Sequence, residues 1–377
     1  MQRTSLIFIA IAFILFGLSL AIPRVATVPH EATAASSTQI SLAATTITAS
    51  TTPITAEASS TPPKAASTAI KKVQATTTAT AATQASQTLV ATAPAPDFDA
   101  INKIARDAIV NILCTTKGGE LSPISGTGII ISPGGLIITN AHIGQYFLLK
   151  DFTQKDFLTC IARTGSPASP KYNLELVYIS PQWVSDNKTL LKEENPIGTG
   201  EHDFAFLRIT SMIDGGNMPQ NFSYLAPTTR EAVFPDEPAL LASYPAGFLG
   251  GLSVLQDLSL TSAIAHVAEA FTFGSSTVDL ISVPGTVVSQ KGSSGGSVVD
   301  TNAQLLGVIV TSSDGTTTAQ RDLRAITLAY INRELQSDLD MTLEAFISQD
   351  IPSFAASFRQ NEAPVLSKLI EDELLKN

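Results

Sequence analysis

Between residues 291 and 297 the chain reads Lys291-Gly-Ser-Ser-Gly-Gly-Ser297. Glycines at 292, 295 and 296 add nothing to a core, so three of them around Ser294 imply a sharp turn in which the backbone comes close to something else. A serine hydroxyl is a weak nucleophile until a base takes its proton, and the oxyanion it creates must meet fixed N–H donors. A tight turn aims the backbone N–H groups of Gly292 and Ser294 into one pocket. A base and an orienting acid are then needed elsewhere. The sequence holds four histidines. One of them, His142, closes the run Gly128-Ile-Ile-Ile-Ser-Pro-Gly-Gly-Leu-Ile-Ile-Thr-Asn-Ala-His142, and the candidate acid Asp203 opens Asp203-Phe-Ala-Phe-Leu207. The order is His, Asp, Ser.

Taken together, Thr139-Asn-Ala-His142, Asp203-Phe-Ala-Phe-Leu207 and Gly292-Ser-Ser-Gly-Gly296 resemble the trypsin-like (chymotrypsin-fold) serine proteases, most closely their bacterial high-temperature-requirement A branch. The resemblance spans roughly residues 98–335. It implies an all-β fold of two six-stranded antiparallel β-barrels with the site in the cleft between them, followed here by C-terminal helices. His142 is then the general base, Asp203 its orienting acid, Ser294 the nucleophile, and Gly292 with Ser294 the oxyanion hole. The position six before the nucleophile, at the base of the specificity pocket by the same resemblance, is Val288. With no acid there, the expected preference is for a small or aliphatic residue before the cleaved bond. Ser293 stands where the digestive members carry an aspartate that holds a freed N-terminus, so activation by that cleavage is not expected. Lys291 and Ser297 also depart from the wider pattern. They are the features that favour the alternative, an inactive protease-like binding or adaptor protein.

The strand pattern agrees. Ile109-Val-Asn-Ile-Leu-Cys114 reads as a strand after a helix that Asp99 could cap, and the turn cluster Ser-Pro-Gly-Gly between Gly128–Ile131 and Leu136–Ile138 reads as a hairpin delivering His142. Further runs at 157–161, 174–178 and 204–207 complete a first barrel over about 109–210. A connection at 211–237 leads to a second at about 238–312, with strands at 239–242, 254–264, 278–282, 296–299 and 305–310. The tail, 336–377, is helical by pattern: Pro364 sits in a first turn and Leu366, Leu369, Ile370 and Leu374 share a face. Too few residues follow Leu335 for the peptide-binding PDZ module that often accompanies this protease type.

Residues 1–23 contain an uncharged apolar run, 5–22, behind Arg3, and are read as a signal peptide or an N-terminal membrane anchor. Ser19-Leu-Ala21 would serve as a cleavage site in the first case. Residues 24–97 are an Ala/Thr/Ser/Pro tract, too poor in large apolar side chains to offset the entropy of folding, and are read as a disordered linker. The expected location is therefore extracytoplasmic, with protein or peptide substrates as partners, and the membrane too if the N-terminal segment stays. Net charge is −10 with no basic cluster beyond Lys71-Lys72, which argues against nucleic acid. Cys114 and Cys160 are the two cysteines, and outside the cytoplasm they are candidates for a disulfide. No His/Cys cluster has metal-ligand spacing, and neither a metal nor another cofactor is expected.

Overall fold

The structure is a computed structural model that describes residues 71–72, 95–118, 121–193, 198–247, 251–274, 276–312 and 322–376. The apolar run at 5–22 and nearly all of the Ala/Thr/Ser/Pro tract lie outside the described residues. A two-residue strand, β1 (Lys71–Lys72), is followed after a gap in the description by helix α1 (Phe98–Ala108). The cap is Asp97, whose carboxylate accepts from the Ala100 N–H at 3.1 Å, and Asp99 sits instead in the first turn. This shifts the cap and the helix start two residues earlier than the sequence suggests.

The first barrel is closed. Its strands are β2 (Ile109–Thr116), β3 (Ile124–Ile130), β4 (Leu136–Thr139), β5 (Leu158–Thr164), β6 (Ser169–Ile179) and β7 (Ala205–Met212), joined antiparallel in the order β2-β3-β4-β7-β6-β5. Side chains in a strand alternate between its faces, yet β4 is buried at every position and β2 at six of eight. Both faces are covered: one looks into the barrel, and outside lie α2 (Ala141–Leu148), the C-terminal helices and the second sheet. Helix α3 (Pro181–Asn187) follows β6, with Ser180 capping the Trp183 N–H at 3.4 Å.

Cys114 and Cys160 face each other directly across the β2–β5 ladder and are joined in a disulfide. The bridge closes a loop of 46 residues. In the chain-entropy account this stabilises the barrel by about 4 kcal/mol. Reduction, or the pair Cys114→Ser and Cys160→Ser, is expected to lower the free energy of unfolding by that amount, read from denaturant midpoints. An unchanged midpoint would contradict it.

The second set of strands is β8 (Pro238–Ser243), β9 (Thr261–His266), β10 (Glu269–Thr272), β11 (Leu280–Val283), β12 (Ser297–Val299), β13 (Leu305–Ser312) and β14 (Leu323–Thr327), with helix α4 (Gly251–Gln256) between β8 and β9. Here the expectation of a second closed barrel is corrected. These strands form an open sheet in the order β1-β10-β11-β14-β13-β12-β8-β9. The reason lies at Val267 and Ala268. Val267 still pairs with the β8 side, donating to Glu237 O, while Ala268 already donates to Ser282 O at the end of β11. The chain thus crosses from one end of the sheet to the other without β9 and β10 pairing laterally, and β1 takes the outer edge of β10. The strand expected over 254–264 is also divided: its first part is α4, and only Thr261–His266 is strand. Buried Arg163 accounts for the helical start, donating through Nη1 to Val254 O at 3.0 Å and Leu255 O at 3.1 Å and through Nε to Asn111 Oδ1 at 2.7 Å. Burial lowers its pKa below the usual guanidinium value, and these carbonyls meet a cation that has been taken out of water.

After β14 come α5 (Leu328–Leu339), α6 (Leu343–Ile347), α7 (Ile351–Asn361) and α8 (Ala363–Leu374). Helix α5 packs on β13 and β14, while α6, α7 and α8 lie over the first barrel and its helices. Phe346 meets Phe206 with ring centroids 4.6 Å apart, Tyr178 Oη donates to Asp338 Oδ2 at 2.8 Å, and Ser367 Oγ donates to Leu148 O at 2.8 Å. On α8, Leu366 and Ile370 are buried, whereas Leu369 is exposed at the rim of the face expected to be apolar.

Candidate active site

His142 enters at the first turn of α2, directly after β4. Its partner Asp203 lies two residues before β7, the strand that pairs with β4. Strand pairing therefore brings together two residues 61 apart in sequence. Asp203 Oδ1 accepts the backbone N–H of His142 at 2.9 Å, and Oδ2 lies 2.8 Å from His142 Nδ1. Asn140 Nδ2 donates to Asp203 O at 3.1 Å, which fixes the acid's backbone to the same turn. The side chain of Asp203 is 7% exposed and that of His142 26%. A buried carboxylate with both oxygens engaged by one histidine fixes the ring orientation, and it favours the tautomer with Nδ1–H, leaving Nε2 free to accept.

The glycine turn is held against the first barrel from the other side. Thr127 N–H donates to Ser294 O at 2.8 Å, and Thr127 Oγ1 donates to Gly292 O at 2.9 Å while accepting from Tyr244 N–H at 3.0 Å. Gly126 separates the two halves of the site: a Cβ there would stand 2.3 Å from Ile143 Cδ1, next to His142, and 3.6 Å from Ser294 O. Both candidates therefore flank the same two residues of β3. Gly292 and Gly295 have φ of +92° and +81°, in the left-handed region that L side chains avoid. The Ser294 hydroxyl and the N–H groups of Gly292 and Ser294 carry no hydrogen bond among the described residues. They are free to act on a bound group.

Around the turn, several neighbouring residues shape it. Ser293 is buried, accepts from Ser243 Oγ at 3.0 Å and donates to Val288 O. It thus ties the turn to the second sheet. Val288 itself is fully buried among the apolar side chains of that sheet. Thr127 carries three of the bonds described here, yet nothing adjacent in sequence marks it. Asn140 was within reach, as part of the Thr-Asn-Ala-His run. Tyr244 donates its hydroxyl to Gly165 O at 2.8 Å, and burial pushes its pKa up to about 12, so it remains a neutral donor.

Gly295→Ala is a severe test of this seating. The added Cβ would lie 1.8 Å from Thr127 O and 2.6 Å from Thr139 Oγ1, at positive φ. The expected cost is roughly 3 kcal/mol or more, read as a lowered unfolding midpoint. An unshifted midpoint would mean the turn is not seated there.

Residues 126–308 match the family model of the trypsin-like peptidase domain. This chain carries a trypsin-like peptidase domain. The matched segment contains His142, Asp203 and Ser294. A search of curated proteins finds no match. Among solved structures, the domain is similar to Deg5, at 15% identity and a TM-score of 0.42, with 64% of this chain and 94% of that one covered. It is also similar to the active form of the Rv3671c protease of M. tuberculosis, at 20% identity and a TM-score of 0.39, covering 70% of this chain and 96% of that one.

Proposed function

We propose that this trypsin-like domain is a serine endopeptidase that hydrolyses peptide bonds of extracytoplasmic proteins through His142, Asp203 and Ser294. The observation that carries the reading is the buried Asp203 carboxylate bound twice by His142 beside a glycine turn that leaves the Ser294 hydroxyl without a hydrogen bond among the described residues. In this reading His142 Nε2 takes the Ser294 proton as Oγ attacks the substrate carbonyl, and Asp203 stabilises the imidazolium. The N–H groups of Gly292 and Ser294 receive the oxyanion. The imidazolium then protonates the leaving amine, and water, activated by the same base, releases the acyl group. The apolar run at 5–22 and the Cys114–Cys160 disulfide support a location outside the cytoplasm, with the N-terminal segment as anchor or cleaved signal. Val288 offers no negative charge to a basic side chain, which supports cleavage after small or aliphatic residues.

A second reading, an inactive protease-like binding protein at the cell surface, is favoured by one observation: no hydrogen bond joins His142 to the Ser294 hydroxyl. In unliganded enzymes this bond is often long and tightens only when substrate arrives. Incubation of the full chain with casein and with a peptide library separates the two. The protease reading expects cleavage that Ser294→Ala abolishes, at sites after small or aliphatic residues. Casein left intact by a folded wild type supports the binding protein, and cleavage confined to Arg or Lys overturns the specificity.

A further inference from the structure

Asp203 is held by His142 and Asn140 on one side, and the residue before it is held from the other side by the C-terminal helices. His202 has φ +56°, a left-handed conformation that a non-glycine residue keeps only when its surroundings enforce it. Two contacts from α5 enforce it. The His202 N–H donates to Tyr330 Oη at 3.0 Å, and His202 Nδ1 is hydrogen-bonded to Glu334 Oε2. The Tyr330 hydroxyl also lies 3.4 Å from Nδ1. Both partners are themselves anchored, Tyr330 by the Thr327 cap at 3.0 Å and by edge contact with Phe273, and α5 by the Tyr178–Asp338 bond. On the far side of the turn, Phe204 N–H donates back to His202 O at 2.8 Å, so the left-handed residue and the acid form one rigid step.

We infer that His202 is a positioning residue for Asp203, and that α5, through Tyr330 and Glu334, holds the acid of the proposed triad in register with His142. The inference rests on the protease reading and adds to it a control point outside the matched 126–308 segment. The groups facing His202 are Glu334, Tyr330 and Asp338 from α5 and its own neighbour Glu201. Asp186 and Asp279 bear on Glu201, and Arg333 of α5 is engaged by Asp279 and Glu231. Burial alone would lower the His202 pKa, but the hydrogen bond and charge of Glu334, with Glu201 and Asp338 behind it, raise it above 6.5. Because the folded value exceeds the unfolded one, the tie is at full strength below about pH 6.5 and weakens as pH rises through the folded value. Neutral His202 keeps a bond to Glu334 that is no longer ion-paired, and the tie loosens without breaking.

The test measures kcat and KM on a peptide amide, and the rate of fluorophosphonate labelling, on the full chain from about pH 5 to about pH 9. Wild type is expected to step down about threefold as His202 loses its proton. Glu334→Gln keeps an acceptor but no charge, and should match wild type above the step while losing the extra rate below it. Glu334→Ala and Tyr330→Phe remove a bond outright and are expected to lower kcat about tenfold with KM unchanged. His202→Asn, which tolerates the left-handed backbone but does not titrate, should show no step. Glu334 and His202 variants whose profiles superimpose on wild type or are scaled equally at every pH, or a Tyr330→Phe that matches wild type, overturn the assignment. Failure of wild type to label at any pH overturns the protease reading and the inference together.

Discussion

Ser294→Ala is expected to lower kcat about a millionfold while leaving the fold intact. Every other part of the proposed site acts on the alkoxide that Ser294 supplies, so without it His142 has no proton to take and the donors at 292 and 294 meet no acyl intermediate. His142→Ala should cost about as much, and the double variant no more than either alone, because a triad works as a unit. The Ser294 hydroxyl makes no hydrogen bond among the described residues, so its removal should change stability by less than about 0.5 kcal/mol. A loss of activity accompanied by unfolding would point instead to a structural serine.

Asp203→Asn should reduce kcat about ten-thousandfold. The geometry says why. Asp203 Oδ1 accepts the His142 backbone N–H, so an asparagine would keep its oxygen there and turn its NH2 toward Nδ1. Nδ1 must then accept, the ring proton moves to Nε2, and the base can no longer receive the serine proton. KM should change little. Retained activity in Asp203→Asn would show that another group orients His142.

The candidate catalytic residues were legible because the chemistry proposed for them imposes a local pattern. A nucleophile in a turn with an oxyanion hole needs glycines beside it, and a base delivered by a hairpin leaves a turn cluster between two apolar runs. The first barrel was legible for a related reason, since Ile129–Ile131 and Leu136–Ile138 are buried on both faces and read as strands without ambiguity. What was not legible depends on distant partners. Residues 254–264 carry enough apolar side chains for a strand, and it is Arg163, 91 residues away, that binds the carbonyls ending α4. Closure of the second sheet is decided by a crossing at Val267–Ala268 that no local pattern encodes. His202 reads as an ordinary structural histidine until α5, 128 residues later, places Tyr330 against its N–H. Thr127 is similar: its hydroxyl acquires meaning only when residues 244 and 292 arrive beside it.

The central claim is that Ser294 is an activated nucleophile. Its most direct test is intact-mass analysis of the full chain after exposure to a fluorophosphonate, with the modified peptide identified. The account expects a single adduct on Ser294 in wild type, and none in Ser294→Ala or His142→Ala. A folded wild type that takes no adduct, or takes it on another residue, contradicts it.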